Sequence, residues 1–319
     1  MSISLPNHRL LAALLLLGAC GTDGASSEVV VADCGGAPSL LGVGSGAVFW
    51  TVRAGAGTQI SGSSLASLPA ERQSLGDAPG PVAQVGDHVL VANDGAIFRA
   101  GLAGPATKVL TAAAETLTES EDDMPTVAWT NGPNVMWGNG NAMSTAPLSK
   151  ITRSTQLQIT ATSIYVGADG VSERRILRIN RRTGDVTPLA ASSTFAEMFP
   201  DGGKSGATYY GRLVGADATA GLWLVEERAA GATSAARAIL VSIPEQGAPS
   251  VVLDRIGAVT AFFATTDGFY WQEGDALLSA PKSGGAAAIE AHIPGQAGAV
   301  ADGFVYYATG TAIERLAVD

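Results

Sequence analysis

The sequence predicts an all-β chain built from many short strands, and three observations carry that expectation. Glycine supplies 40 of the 319 residues, while charged residues make up only 15 %. Short β-branched and aromatic runs alternate with clusters of Gly, Ala, Ser and Thr, the pattern of strands bounded by tight turns. Long amphipathic helices are hard to find past residue 28, and residues 111–117 offer at most a short turn of helix.

The first element is not part of the fold. His8 and Arg9 precede the apolar run 10–17, and Gly18-Ala19-Cys20 follows it. A basic start, an apolar run and small residues form the layout of a secretory signal. The run is too short for a membrane helix, which needs about 20 apolar residues. No later stretch comes close, so no membrane span is expected. Small residues directly before a cysteine resemble the bacterial lipobox. That resemblance implies that residues 1–19 are removed and that Cys20 becomes the lipid-bearing first residue. Gly21 rather than Asp after that cysteine implies, by the same resemblance, the outer membrane of a Gram-negative host, facing the periplasm or the cell surface. Residues 20–27 are small and polar and read as a flexible tether.

Residues 28–319 then read as one domain, since no second linker of that composition occurs. Within them a weak repeat recurs: a small-residue turn, a β-branched or aromatic strand, a second turn and a second strand. In chain order the first strands of these pairs are Ala47-Val48-Phe49-Trp50, His88-Val89-Leu90-Val91, Asn134-Val135-Met136-Trp137, Ser163-Ile164-Tyr165-Val166 and Ala207-Thr208-Tyr209-Tyr210. Phe269-Tyr270-Trp271 and Phe304-Val305-Tyr306-Tyr307 complete the series, each after an Asp-Gly turn. Further strand-like runs lie between the pairs, at 108–110, 126–129, 156–159 and 250–253. Four short strands per roughly 40 residues, with no crossover helices, predict a β-propeller of about seven four-stranded blades. Six or eight blades are the alternatives, because region 205–255 is irregular; a pair of β-sandwiches is the alternative fold. One small sheet cannot bury both of its faces alone, but blades packed face to face around an axis can.

The last strand pair leaves only Asp319, so the last blade lacks an outermost strand. Residues 28–32, Glu-Val-Val-Val-Ala, precede the first complete repeat. Their expected role is to pair with 313–318 and close the ring from the opposite terminus.

The repeat resembles bacterial β-propeller repeats of the broad WD, TolB and serine/threonine-kinase-associated classes. Phe199-Pro200-Asp201-Gly202-Gly203-Lys204 looks like a turn of TolB-type blades. Asp267-Gly268-Phe269-Tyr270-Trp271, with Pro281 and Gly284-Gly285 after it, looks like blades of exported propeller lipoproteins. The missing Trp-Asp dipeptide sets the chain apart from the WD class proper. The resemblance implies binding and scaffolding more often than chemistry.

Loss of Arg9 with the signal would leave 18 basic against 29 acidic residues, a formal balance of −11. An acidic chain repels nucleic acid, so no nucleic-acid partner is expected. Of two cysteines, Cys34 is left unpaired if Cys20 is acylated; it is either buried and inert or paired between molecules. A disulfide between Cys20 and Cys34 would compete with lipidation.

Sites of chemistry are scarce. His88 and His292, outside the signal, sit in no metal-ligand spacing and read as polar turn residues. Gly42-Val43-Gly44-Ser45-Gly46-Ala47 matches the loose dinucleotide fingerprint but leads into a strand, leaving no helix N-terminus for a pyrophosphate. Gly203-Lys204-Ser205 lacks the earlier glycine of a phosphate loop, because Met198 stands there. Ser279-Ala280-Pro281-Lys282 contains a proline that forbids the helix its motif needs. The acidic run 119–123 lacks the alternating ligands of a calcium loop and reads as a solvated loop. Asn139-Gly140-Asn141 reads as a turn. Arg174, Arg175, Arg178, Arg181 and Arg182 form the one basic cluster, with Arg175 and Arg178 on opposite faces of a strand and Glu173 and Asp185 as nearby partners. Trp50, Trp129, Trp137, Trp223 and Trp271 lie on strands and are expected between blades.

Cys20, for lipidation, is thus the one site residue assigned; no catalytic, cofactor-binding or metal-binding residue is assigned. The expected function is that of a lipid-anchored cell-envelope propeller that binds or scaffolds, with a protein or envelope component as partner. One alternative is a propeller lyase or hydrolase with carboxylates at the axis, for which Asp94, Asp169, Asp201 and Asp267 lie on turns. Another is a passive structural lipoprotein.

Overall fold

The computed structural model describes residues 26–120, 125–139, 142–171, 173–216, 219–233, 235–283 and 285–318. The signal and Cys20 therefore lie outside the described residues, as do Glu121–Asp123 of the acidic run, Gly140, Asn141 and Gly284.

Seven four-stranded antiparallel sheets form a seven-bladed propeller. Blades I to VI span residues 38–77, 82–110, 116–147, 151–191, 208–256 and 261–292, and blade VII spans 296–317. In each of blades I to VI the strands pair in chain order, and the first strands of successive blades pack on one another around the axis. The one helical element among the described residues is a 3-10 turn, Phe195–Met198, before blade V. Region 111–117 holds no helix: it leads into the strand Thr116–Glu119.

Burial explains why the strands read as they do. The second strand of a blade is covered on both faces, so Ser163–Gly170 is buried over its first six residues and carries a continuous apolar run rather than an alternation. The outermost strand of blade II, Gly104–Leu110, is exposed over its first five residues. Successive side chains of a second strand point to opposite seams. Leu90 packs towards blade III with Ile97 and Trp129, whereas Val89 and Val91 pack towards blade I with Phe49. Every seam of the ring holds one such cluster, and the five tryptophans all sit in them or line them, with 5 % exposure or less.

In blade III the strand phase differs from the sequence reading. Val127–Asn131 is the second strand, and Asn134–Gly138 with Met143–Pro147 are the third and fourth. Trp129 and Trp137 carry equally good strand signals, so sequence alone does not say which run is which.

Blade VII is closed as expected. Glu28–Val31 is its outermost strand, with Glu28 opposite Arg315 and Val31 opposite Ile313. Val30 and Val31 are buried against Trp50 of blade I and Tyr306 of blade VII. The Val30 carbonyl accepts from Ala70 N–H at 2.7 Å, and Cys34 N–H donates to Thr311 O at 2.8 Å. Gly298 permits the close contact of blade VII with blade I, since a Cβ there would fall 2.2 Å from the Leu40 Cβ.

Candidate functional site

Each first strand begins at one face of the ring, the lower face, and ends at the other, the upper face. The upper face carries the turns to the second strands, and the axis opens there into a polar basin. Three adjoining cavities of about 690, 590 and 820 Å³ make up this basin. They share Gln84, Val85 and Glu119 on one side, Ala264 and Thr265 on another, and Val43 on the third. The lining comes from the last residues of the first strands because those ends converge on the axis. Thr118, Gln158, Ser242 and Lys282 add polar groups, and Leu222 and Phe269 form part of the floor. The tight turns that shape the rim need positive φ; in blade I, Ser45 and Gly46 supply it at 47° and 76°.

The strongest electrostatic feature of the basin joins blade II to blade III. Glu119, its side chain 1 % exposed, takes His88 Nε2 at 2.7 Å and also bonds Arg99. The other ring nitrogen of His88 lies 2.9 Å from Asp87 Oδ1. The hydrogen bond to Glu119 is the main reason the His88 pKa is raised above its ordinary value; the bond to Asp87 adds to it, and burial opposes it. Both ring nitrogens of His88 are therefore engaged by carboxylates, which leaves neither free to face a substrate. This arrangement ties two blades together, while the amides and hydroxyls of Gln84, Thr118, Gln158 and Ser242 face the basin.

Sequence reading did not connect these groups. His88 opens the strand His88–Asn93, and its partner Glu119 lies 31 residues away at the end of another blade's first strand. Glu119 is thus a seam residue and not part of a solvated loop. The usable signal was phase: residues just before a first turn, such as Gln84-Val85 before Gly86-Asp87, occupy the upper axial mouth.

The four turn carboxylates do not converge. Asp94 has φ 48° and forms the turn it was read as. Asp169 lies at the lower face, 3.2 Å from Arg174 and 3.5 Å from Arg153. Asp201, also at the lower face, makes a bidentate pair with Arg237, both bonds 2.8 Å. Asp267 alone borders the upper basin. Arg237 also bonds Glu227 at 3.0 Å, and Glu227 accepts from Tyr209 Oη and Lys204 N–H. The Phe199–Lys204 turn is therefore pinned to blade V by an ion network, with no phosphate cradle. His292 ends the fourth strand of blade VI, 3.3 Å from Asp275, and is not brought near His88. Among the described residues no three His, Cys, Asp or Glu side chains gather to hold a metal.

The basic cluster disperses over both faces and two seams. Arg175 pairs with Glu173 at 3.0 Å, whereas Arg178 crosses to Glu245 of blade V at 2.8 Å, so the two do project oppositely. Arg181 donates to Thr126 Oγ1 at 2.6 Å across the seam of blades III and IV. Asp185 is bonded by Thr183 and, among the described residues, by no arginine. Cys34 is fully buried, and its thiol is pushed up to about 12 by burial first and by Asp33 second, against the opposing charge of Arg72.

No family model matches the chain, and no curated protein matches it. Solved structures do. An oligogalacturonate lyase in complex with manganese is 9 % identical, with a TM-score of 0.61 over 93 % of this chain and 97 % of that one. The oligogalacturonate lyase of Vibrio parahaemolyticus gives 0.60 at 7 % identity, over 92 % and 97 %. The WD40 propeller domain of Doa1 gives 0.54 at 9 % identity, over 92 % and 98 %. Proteins of such different kinds at such low identity share a backbone plan with this chain, and the likeness shows a β-propeller fold.

Proposed function

We propose that this protein is an exported, lipid-anchored β-propeller of the cell envelope that acts by binding a protein or envelope component in its upper axial basin. One observation carries the binding reading: Glu119, the buried carboxylate of the basin wall, is spent on His88 and Arg99. What faces the basin beside apolar groups is mostly neutral, Gln158, Thr118 and Ser242, with Lys282 and the turn residues Asp267 and Asp302, on separate blades, at its edges, a surface of recognition more than of bond-breaking. The carboxylate-enzyme alternative is weakened by Asp94, Asp169 and Asp201 lying away from that mouth, two of them already paired with arginines.

The anchor rests on the layout of residues 8–20 and gains support from two features. Cys34 is sealed in the seam of blades VII and I and is no ready disulfide partner for Cys20. The strand Glu28–Val31 is the outermost of blade VII, so the described chain begins at the outer rim and away from the axis.

Two measurements test the reading. Radiolabelled palmitate should enter the wild-type chain and not Cys20→Ser, which should leave the membrane fraction; equal labelling would refute the anchor. A photo-crosslinking residue at 118 or 158 should give a discrete adduct in intact envelopes, competed by excess unlabelled Cys20→Ser protein, while the same residue at 186 on the rim should not. No adduct, or equal adducts at all three positions, would refute the basin as the binding surface.

A further inference from the structure

The lower axial mouth has the opposite character from the chain as a whole, whose formal charge is −10. At blades IV and V, four arginines meet two carboxylates. Arg153 and Arg212 come from the first strands Ile151–Ile159 and Thr208–Ala216, so they stand next to the axis. Arg174 begins a third strand and Arg228 ends a second one, both at the same face. Asp169 lies between Arg153 and Arg174, and Glu226 between Arg212 and Arg228.

The pairing is incomplete. Arg228 bonds Glu226 at 2.7 Å, but the Arg212 Nε stays 3.7 Å from that carboxylate, beyond hydrogen-bond reach. Arg212 Nε and Nη2 are buried without a hydrogen-bond partner among the described residues, and so is Arg228 Nε. Guanidinium N–H groups left in this condition carry an uncompensated desolvation cost. Burial lowers the Arg212 pKa, with Arg228 acting in the same sense and Glu226 against it. The guanidinium carbons of Arg174 and Arg228 stand 4.7 and 4.3 Å from the Tyr210 ring centroid. Stacking on a ring fixes a guanidinium plane while leaving its N–H edge for an in-plane acceptor. Tyr210 is two residues from Arg212 on one strand, so both side chains rise on the same side.

We propose that this lower mouth is an anion site that takes a small ligand through a carboxylate or phosphate group, with Arg212 as the central donor and Arg174 and Arg228 at its flanks. Arg212 Nε and Nη2 are sealed, so Arg212 reaches the anion through the exposed remainder of its guanidinium, its side chain being 35 % exposed; charge-assisted bonds of this type are the strong ones. The site lies on the face opposite the basin, so its ligand can bind whether or not the basin is occupied.

The test is calorimetric titration of the full chain in detergent with inorganic phosphate and with succinate at low ionic strength, against matched chloride. Saturable binding of either oxyanion, absent with chloride, is expected; the tighter of the two identifies the preferred head group. Arg212→Met and Arg174→Gln should each weaken it at least tenfold, whereas Lys108→Ala on the exposed outermost strand of blade II should leave it unchanged. Arg212→Met should also melt no lower than the parent, because the arginine makes no hydrogen bond that the fold loses. Absence of saturable binding, equal weakening by Lys108→Ala, affinity kept within twofold in Arg212→Met, or a melting point several degrees lower in that variant would overturn the proposal.

Discussion

Blade VII and blade V both depart from the plain repeat, and they are secured by different physics. Blade VII borrows its outermost strand from the other terminus and holds it with main-chain pairing and buried valines. Blade V is preceded by the long connection 192–207, which is held by Asp201, Arg237, Glu227 and Tyr209. Ladder pairing and apolar burial do not depend on pH. A network of charges does, and it costs most when one partner is removed and a buried charge remains. The first tie is therefore strong under all conditions, whereas the second is conditional.

Removal of residues 28–32 tests the stronger tie and should have the largest effect. Burial of Val30 and Val31 contributes about 1.5–3 kcal/mol each, before the ladder bonds are counted. Calorimetry should show the melting temperature falling by about 10 °C, whereas removal of residues 21–27 should barely move it. Equal tolerance of both deletions would show that the ring does not depend on its clasp.

Arg237→Ala tests the weaker tie. It leaves Glu227, with a side chain 1 % exposed, without its close cationic partner and with only the Lys204 ammonium, 3.8 Å away, and should cost about 3 kcal/mol near neutral pH. The pKa of Glu227 is lowered chiefly by its bond to Arg237. Stability from this pairing is present above the ordinary glutamate value and is lost as pH falls through the lowered one. The parent should therefore lose its advantage over Arg237→Ala in acid; a constant gap between the two melting curves would count against the network.

His88→Gln should show the opposite trend with a smaller amplitude. A raised folded-state pKa means that the stabilisation by His88 is complete below the ordinary histidine value and fades as pH rises through the folded one. Thermal melts at mildly acid and mildly alkaline pH should place the parent ahead only at the acid end. The smallest effect is chemical. Cys34, with its pKa near 12, should be inert to a thiol reagent at neutral pH in the native parent and become reactive when 28–32 are deleted. Rapid labelling of the native parent would show that the seam is open.

This contrast also marks what could be read from the chain. Val-Phe-Trp at 48–50 and Phe-Tyr-Trp at 269–271 announce strands covered on both faces, and their spacing yields the blade number. Val29-Val30-Val31 with no fourth strand left at the far end yields the closure. Both signals are local apolar patterns, or a count along the chain. The seam of Glu119 with His88 and Arg99, and the network of Asp201 with Arg237 and Glu227, unite residues from different strands. Their partnership depends on the phase of each blade, and that phase was ambiguous in blade III. The axial basin was hidden for the same reason: Gln84, Thr118 and Gln158 are unremarkable in sequence and become neighbours only when seven strand ends converge.

The clasp of blade VII also sets a schedule. Glu28 and its partner Arg315 are 287 residues apart. At synthesis rates of about 5–20 residues per second, the first strand waits roughly 15–60 s for the strand it must join. Until then blade I has a bare flank, Trp50 and Cys34 are uncovered, and the growing chain is an open arc with an unpaired edge at its start. A ring that can lock only when its last strand arrives stays threadable for as long as its end is still being made.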